Sequence, residues 1–178
     1  MNRMTSILLM LSVLAVPALA SGKEDRDLPN FDQVSERLYR GGQPTPDGLK
    51  KLAARGIKTI ISLRQDSGGA RKEQAAAEAL GLRWFIIPMS ALTRPQDDEI
   101  QRVLSLINDP ASGPVFIHCK RGADRTGAVI AIYRVSQQGW TADDAIREAR
   151  RYRMRWWEFG KRDFIRDYEK KSRSGNSE

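Results

Sequence analysis

The 178-residue chain has a single cysteine, a single histidine and no long apolar run. With one cysteine, Cys119, no intramolecular disulfide can form. The apolar stretch at residues 7–16 is too short to cross a bilayer core, which needs about 20 predominantly apolar residues. No internal repeat or low-complexity core is evident. The chain is therefore expected to form one globular domain.

The N-terminus has the pattern of a secretory signal peptide. Arg3 precedes the apolar stretch, and small residues ending at Ala20 provide a cleavage site. A membrane anchor is the alternative, which the shortness of the stretch disfavours. We expect residues 1–20 to be a signal peptide and the mature protein to be exported to the periplasm or beyond.

Beyond the signal peptide, helical and strand patterns alternate. Thr45 as N-cap, Pro46 at the first position and Gly56 after the end bracket one helix. This alternation predicts a single α/β domain over residues 29–170, with a mostly parallel central sheet flanked by helices. We predict flexible polar segments at residues 21–28 and 171–178. Strands are predicted at residues 57–63, 82–87 and 115–118, and further helices at residues 70–80, 96–108 and 126–138.

The most informative stretch is residues 118–127, which read His-Cys-Lys-Arg-Gly-Ala-Asp-Arg-Thr-Gly. It follows a short apolar strand and precedes a helix, so it is predicted to be a strand-to-helix turn. The N–H groups of residues 120–125 can form a concave nest at the helix N-terminus, where unpaired amides and the helix dipole favour an anion. Phosphate is the expected ligand.

The spacing of Cys119 and Arg125 explains the expected chemistry. A five-residue separation lets the loop close around one tetrahedral oxyanion, with the sulfur beneath it and the guanidinium beside it. The backbone N–H groups and the helix dipole that favour an anion are also expected to lower the pKa of the Cys119 thiol. Positioning and electrostatics carry most of phosphoryl transfer, so no metal or cofactor is required. The expected phosphate-binding residues are Lys120, Arg121, Gly122, Ala123, Asp124 and Arg125.

This Cys-x5-Arg motif, preceded by His and followed by Thr-Gly, resembles the signature of the protein tyrosine and dual-specificity phosphatase superfamily. Residues 38–44 (Leu-Tyr-Arg-Gly-Gly-Gln-Pro) and 57–64 resemble the entry of its compact atypical dual-specificity group, known from plants, fungi and bacteria. The resemblance covers roughly residues 30–150 and implies a dual-specificity-like cysteine-phosphatase fold. It further implies specific roles: Cys119 forms a phosphocysteine, Arg125 stabilises the transition state, Thr126 hydrogen-bonds the sulfur and His118 fixes the thiolate's surroundings.

The resemblance implies a general acid, for which there are two positions. Many relatives carry it on a loop before the helix that precedes the signature strand, where Asp97 and Asp98 are the candidates. Carboxylates in a first helical turn are also favoured by the helix dipole without any catalytic role. Myotubularin-type lipid phosphatases and some secreted bacterial phosphatases instead place Asp immediately before the signature arginine, as Asp124 is here. We favour Asp124, whose alternative role is an ion pair or a helix cap.

Lys120 and Arg121 bear on the substrate. Two extra cations raise the potential at the mouth of the loop, which suits a substrate with several phosphates better than one phosphotyrosine. Tensin-type phosphoinositide phosphatases likewise have Lys directly after the catalytic Cys. The alternative is that both side chains point to solvent. Phosphoinositides or inositol phosphates are favoured, and phosphorylated protein remains open.

Basic and aromatic residues interleave near the C-terminus. Aromatic residues in helical sequence usually pack on the core while arginines form a solvated face, and we predict that arrangement here. Contact with an anionic membrane surface is the alternative. Nucleic acid is not an expected partner, because no binding module is recognisable. The residues concerned are Arg147, Arg150, Arg151, Arg153, Arg155, Trp156, Trp157 and Phe159.

Three functions fit these motifs. A cysteine-dependent phosphatase is favoured. A catalytically weak phosphate-binding module could use the same loop to hold a phosphorylated ligand. A sulfurtransferase is the third, since rhodanese-type loops also surround a cysteine with anion-binding groups, but the Arg-Thr ending of this loop argues against it.

Overall fold

The structure, a computed structural model, describes residues 25–65 and 68–174, so the predicted signal peptide lies outside the described residues. Within them, no helix is long and apolar enough to cross a bilayer. The strands are β1 (Asp32–Ser35), β2 (Leu38–Gly42), β3 (Thr59–Ser62), β4 (Arg83–Ile86) and β5 (Val115–Cys119). The helices are α1 (Pro46–Ala54), α2 (Gly68–Glu78), α3 (Asp97–Asn108), α4 (Asp124–Gln138), α5 (Ala142–Arg151) and α6 (Phe159–Ser174), and a 3-10 turn spans Pro110–Ser112.

The strands form one sheet in the order β1-β2-β5-β3-β4. Only β1 and β2 pair antiparallel, so the prediction of a mostly parallel sheet is confirmed. In the centre, His118 of β5 pairs with Gly41 of β2 and Ser62 of β3. The carboxyl ends of these three strands therefore meet at one edge, where open α/β sheets bind their ligands.

Helices cover both faces of the sheet, as predicted. Successive strand residues point to opposite faces, so Ile60 and Phe116 pack with α1 and α2. Their neighbours Ile61 and Ile117 pack in a larger cluster with α3, α4, α5 and α6. Central strands buried on both faces explain the continuous apolar runs of β3 and β5 in the sequence.

The domain is longer at both ends than predicted. Leu28 is buried in the core beside α1, and Lys51 of α1 binds Asp25 and Asp27, each at 2.8 Å. At the other end α6 continues to Ser174. Burial and ion pairing thus join residues 25–28 to the domain, and the continuing helix includes residues 171–174. The remainder of both segments lies outside the described residues.

Candidate active site

The signature loop joins the end of β5 to the start of α4. Cys119 is the last residue of β5 and Asp124 the first of α4, which leaves residues 120–123 to make the turn. Gly122 has a φ of +68°, and a Cβ there would lie 2.4 Å from the carbonyl carbon of Gly41. Glycine is required at this position because the backbone is left-handed and the loop packs directly on the end of β2.

The carbonyl groups of this loop are held on its outer side. The backbone N–H of Gln43 donates to the carbonyl of Lys120 at 3.3 Å, and the Asn30 side chain donates to that of Gly122 at 2.9 Å. A trans peptide points each carbonyl and the next N–H in opposite directions. The N–H groups of Arg121 and Ala123 therefore point away from these outer partners, as two members of the predicted nest would.

The Cys119 side chain lies at a cavity of about 400 Å³ and is only 3% exposed. Burial raises the pKa of the Cys119 thiol, but opposing effects outweigh it and leave the pKa below its ordinary value. These are the nearby hydroxyl and backbone N–H of Thr126, the charge of Arg125 and the backbone N–H of Arg121. The cavity is lined by Ala91, Cys119, Lys120, Arg121, Asp124, Arg125 and Arg155.

Arg125 is fixed in the wall of this cavity by two backbone carbonyls. Its Nη1 donates to the carbonyl oxygen of Leu63 at 2.9 Å and to that of Met89 at 3.4 Å. Both residues follow the carboxyl ends of strands, β3 and β4 respectively. The guanidinium is therefore positioned before any ligand arrives, and the structure brings Arg125 to Cys119 as the sequence predicts.

His118 lies behind the loop and does not line the cavity. Its Nε2 is 2.7 Å from Oε1 of Glu73 in α2, and its Nδ1 is 3.3 Å from the carbonyl oxygen of Cys119. Burial raises the pKa of Glu73, but hydrogen bonds, first from His118 and then from Trp84 and Gln43, lower it overall. His118 is therefore held between α2 and the backbone of Cys119.

Arg40 supports the loop from below and is 1% exposed. Its Nη2 donates to the carbonyl of Gly122 at 2.6 Å, and its guanidinium lies 3.8 Å from the centre of the Tyr152 ring. Burial lowers the pKa of Arg40 to about 10, so its charge is present at neutral pH. It therefore adds positive potential under the anion site.

Sequence reasoning missed Asn30, Arg40 and Glu73 as functional residues. One signal was available for Glu73, which shares the buried face of α2 with Ala70 and Ala77 at helical spacing. A carboxylate on an otherwise apolar face requires a buried partner. No comparable pattern marks Asn30 or Arg40, because Asn30 reaches the loop from the turn before β1 and Arg40 from β2, both distant in sequence.

Asp124 lines the cavity and forms ion pairs there. Its Oδ2 is 2.5 Å from Nη2 of Arg121 and 3.1 Å from Nη2 of Arg155. Asp97 instead pairs with Lys171 at 3.1 Å on the surface. Asp98 is likewise exposed, and neither it nor Asp97 lines the cavity. Of the three candidates for the general acid, only Asp124 is placed near Cys119.

The charges of the cavity suit an anion. Four cationic side chains line it against the single carboxylate of Asp124. Lys120 and Arg121 are both exposed at its mouth, so they face solvent and the cavity together. Over residues 25–65 and 68–174, no three His, Cys, Asp or Glu side chains are grouped to hold a metal ion.

The prediction that the C-terminal aromatic residues pack on the core is wrong. Trp156, Trp157 and Phe159 are 65%, 51% and 51% exposed and contact one another edge to face. They lie in the turn between α5 and α6 and at the first residue of α6, where no helical face directs them inward. The core contacts of α6 come instead from Phe164 and Ile165.

Comparison with known proteins identifies the family of this chain. A model described as "DSP-PTPase phosphatase fused to NAD+ Kinase" matches residues 15–167 of the chain. The chain belongs to this DSP-PTPase family. As the resemblance implies, its α/β fold is that of the protein tyrosine and dual-specificity phosphatases.

Individual DSP-PTPase relatives agree with this assignment. The chain is 34% identical over 139 residues to the dual specificity protein phosphatase TpbA of Pseudomonas aeruginosa, covering 78% of this chain and 59% of that protein. It is 30% identical over 127 residues to an inositol diphosphatase of Oryza sativa, covering 69% of this chain and 56% of that protein. The chain thus spans less than two thirds of these relatives.

A solved structure of the fold is that of the core catalytic domain of a PP-IP phosphatase from S. cerevisiae in complex with citrate. It superimposes on this chain with a TM-score of 0.73 at 26% sequence identity. The match covers 84% of this chain and 94% of that one.

Proposed function

We propose that this protein is a cysteine-dependent phosphatase that hydrolyses phosphate monoesters through a phosphocysteine on Cys119. The observation that carries the proposal is the position of the Cys119 thiol, with its lowered pKa, at a cavity whose inward amides and arginines suit one phosphate. Membership of the DSP-PTPase family and the dual-specificity and inositol phosphatases among the relatives support it.

In the first step, the Cys119 thiolate attacks phosphorus and forms an S–P bond while the ester P–O bond breaks. Negative charge on the equatorial oxygens is met by the loop amides and by Arg125. The departing oxygen takes a proton from a general acid. In the second step, water attacks the phosphocysteine and gives a proton to the carboxylate that lost one in the first step, while the S–P bond breaks and phosphate leaves. The hydroxyl and backbone N–H of Thr126 stabilise the thiolate that is regenerated.

Release of phosphate from an aryl phosphate without added metal tests this proposal. Affinity for phosphate without turnover would instead identify a binding module. Consumption of thiosulfate with transfer of sulfur would identify a sulfurtransferase.

We propose Asp124 as the general acid, because it is the candidate carboxylate that lines the cavity. Asp124→Asn should slow hydrolysis of phosphates with poor leaving groups by about 10²-fold or more, the usual scale of general acid catalysis. Esters with good leaving groups, which need little protonation, should be much less affected. Steady-state kinetics on a series of aryl and alkyl phosphates measures the difference.

Asp97→Asn is the matched control, since Asp97 is exposed and paired with Lys171. The assignment fails if Asp97→Asn or Asp98→Asn shows this dependence on the leaving group while Asp124→Asn does not.

For the substrate we propose a phosphate ester that carries several anionic groups, such as a phosphoinositide or an inositol phosphate. Four cationic side chains and one carboxylate line the cavity, and their positive charge is more than one bound phosphate group neutralises. Phosphate release from phosphotyrosine peptides, phosphoinositides and inositol phosphates under the same conditions tests the choice. A clear preference for singly phosphorylated peptides would contradict it.

We also propose export to the periplasm or beyond, with cleavage after Ala20, from the signal-peptide pattern of residues 1–20. N-terminal sequencing of the protein recovered from cells tests this. An N-terminus that retains those residues would contradict it.

The exposed aromatic cluster formed by Trp156, Trp157 and Phe159 is proposed to contact an anionic membrane surface. Arg155 and Arg162 lie over the rings of Trp157 and Phe159 at 5.4 and 4.9 Å, so cations and interfacial aromatic side chains occupy one surface. Sedimentation of the full chain with phosphatidylserine vesicles tests the contact. A protein that stays in solution at physiological salt would contradict it.

A further inference from the structure

Arg155 reaches the cavity from outside the signature loop. It lies in the turn between α5 and α6, yet it lines the same cavity as Cys119. Its backbone N–H donates to Oδ1 of Asp124 at 3.0 Å, and its Nη2 is 3.1 Å from Oδ2 of the same carboxylate. Backbone and side chain of Arg155 are therefore both anchored at the start of α4.

A buried ion pair holds this arginine in place. Glu158 accepts from Nη2 of Arg155 at 2.6 Å and from Nζ of Lys161 at 2.6 Å, and both Glu158 and Lys161 are buried. Lys161 also donates to the carbonyl of Ala91 at 3.1 Å, and Ala91 is another residue that lines the cavity. Arg155 is thus presented by a supported turn rather than by a free surface side chain.

Arg121 and Arg155 together have more positive charge than their shared partner neutralises. Both guanidinium groups contact Oδ2 of Asp124, and Glu158 is shared between Arg155 and Lys161, so three cations face two carboxylates. The Arg121 side chain is 52% exposed and that of Arg155 34%, so both can be reached by a ligand. Each guanidinium has further N–H donors, which suit the oxygens of phosphate or carboxylate.

We propose that Arg121 and Arg155 form a second anion subsite, which binds a phosphate or carboxylate group adjacent to the phosphate that reacts at Cys119. This inference rests on the proposed phosphatase function for the identity of the first site. Arg155 is then a specificity residue that selects substrates with two neighbouring anionic groups.

The test compares two inhibitors of aryl phosphate hydrolysis by the full chain, methylphosphonate with one anionic group and methylenebisphosphonate with two. Hydrogen bonds to charged groups contribute more than neutral ones, so the wild type should bind the bisphosphonate about 10-fold more tightly or better. Arg155→Ala should remove most of this preference. Arg155→Lys, which keeps the charge without the planar fork, should retain part of it.

Arg150→Ala is the matched control. It removes the same charge from a nearby exposed position that does not line the cavity, and it should keep the full preference. The proposal is overturned if the wild type shows no preference, or if Arg155→Ala and Arg155→Lys both keep it.

Calorimetry with the same two phosphonates gives the preference without turnover. A wild type that binds the bisphosphonate more tightly but releases no phosphate would therefore disprove the proposed function and leave the subsite standing.

Discussion

Cys119→Ser should abolish phosphate release, with a loss of at least about 10³-fold in kcat, because removal of a nucleophile eliminates the covalent route. A serine hydroxyl is not ionised at neutral pH, whereas the surroundings of Cys119 outweigh its burial and favour the thiolate. The inward amides and Arg125 remain in the variant. Its affinity for phosphate, measured by calorimetry, should therefore stay close to that of the wild type.

This pair of measurements separates chemistry from binding. Loss of both turnover and phosphate affinity would indicate a collapsed loop rather than a missing nucleophile, and a thermal unfolding curve would show it. A serine variant that keeps more than about one tenth of the wild-type rate would mean that another group attacks phosphorus.

Arg125→Lys should lower kcat by about 10²- to 10³-fold, the usual cost of losing one preorganised donor to a developing anion. Lysine keeps the positive charge but has no planar fork, so it cannot bind two phosphate oxygens while donating to the carbonyls of Leu63 and Met89. The loss should appear mainly in kcat, since the fork matters most when charge spreads over the equatorial oxygens.

Arg151→Lys is the matched control for this substitution, because Arg151 is exposed and outside the cavity. It should leave the kinetics unchanged. An Arg125→Lys variant with wild-type kcat would contradict the role assigned to its guanidinium.

The sequence predicted the parts of the fold whose signals are local. The apolar runs of β3, β4 and β5 and the caps of α1 mark those elements within a few residues. The strands β1 and β2 were missed. The first is polar and at an edge, and the second ends in Gly41-Gly42, so neither has the alternation of a half-buried strand.

The residues of the candidate site likewise divide into those with a local sequence signal and those without one. Cys119 and Arg125 belong to one short loop, so their spacing alone brings them together. Arg40, Glu73 and Arg155 reach the loop from three other elements, and only the packed structure shows that they meet there.

The aromatic cluster shows the opposite error. The sequence pattern predicts that the C-terminal aromatic residues lie on one face of a helix. Trp156 and Trp157 instead lie in a turn, so the expected buried face does not exist there. Periodicity indicates burial only where the backbone is helical throughout.

The most direct test of the account is a titration of the Cys119 thiol, followed by the ultraviolet absorbance of the thiolate. Because the chain has one cysteine and four tyrosines, the difference between the wild type and Cys119→Ser reports this thiol alone. We predict a pKa clearly below the ordinary value of about 8.5, with phosphatase activity falling as pH drops through that pKa, since only the thiolate attacks. A thiol that titrates at or above its ordinary pKa would contradict the central claim.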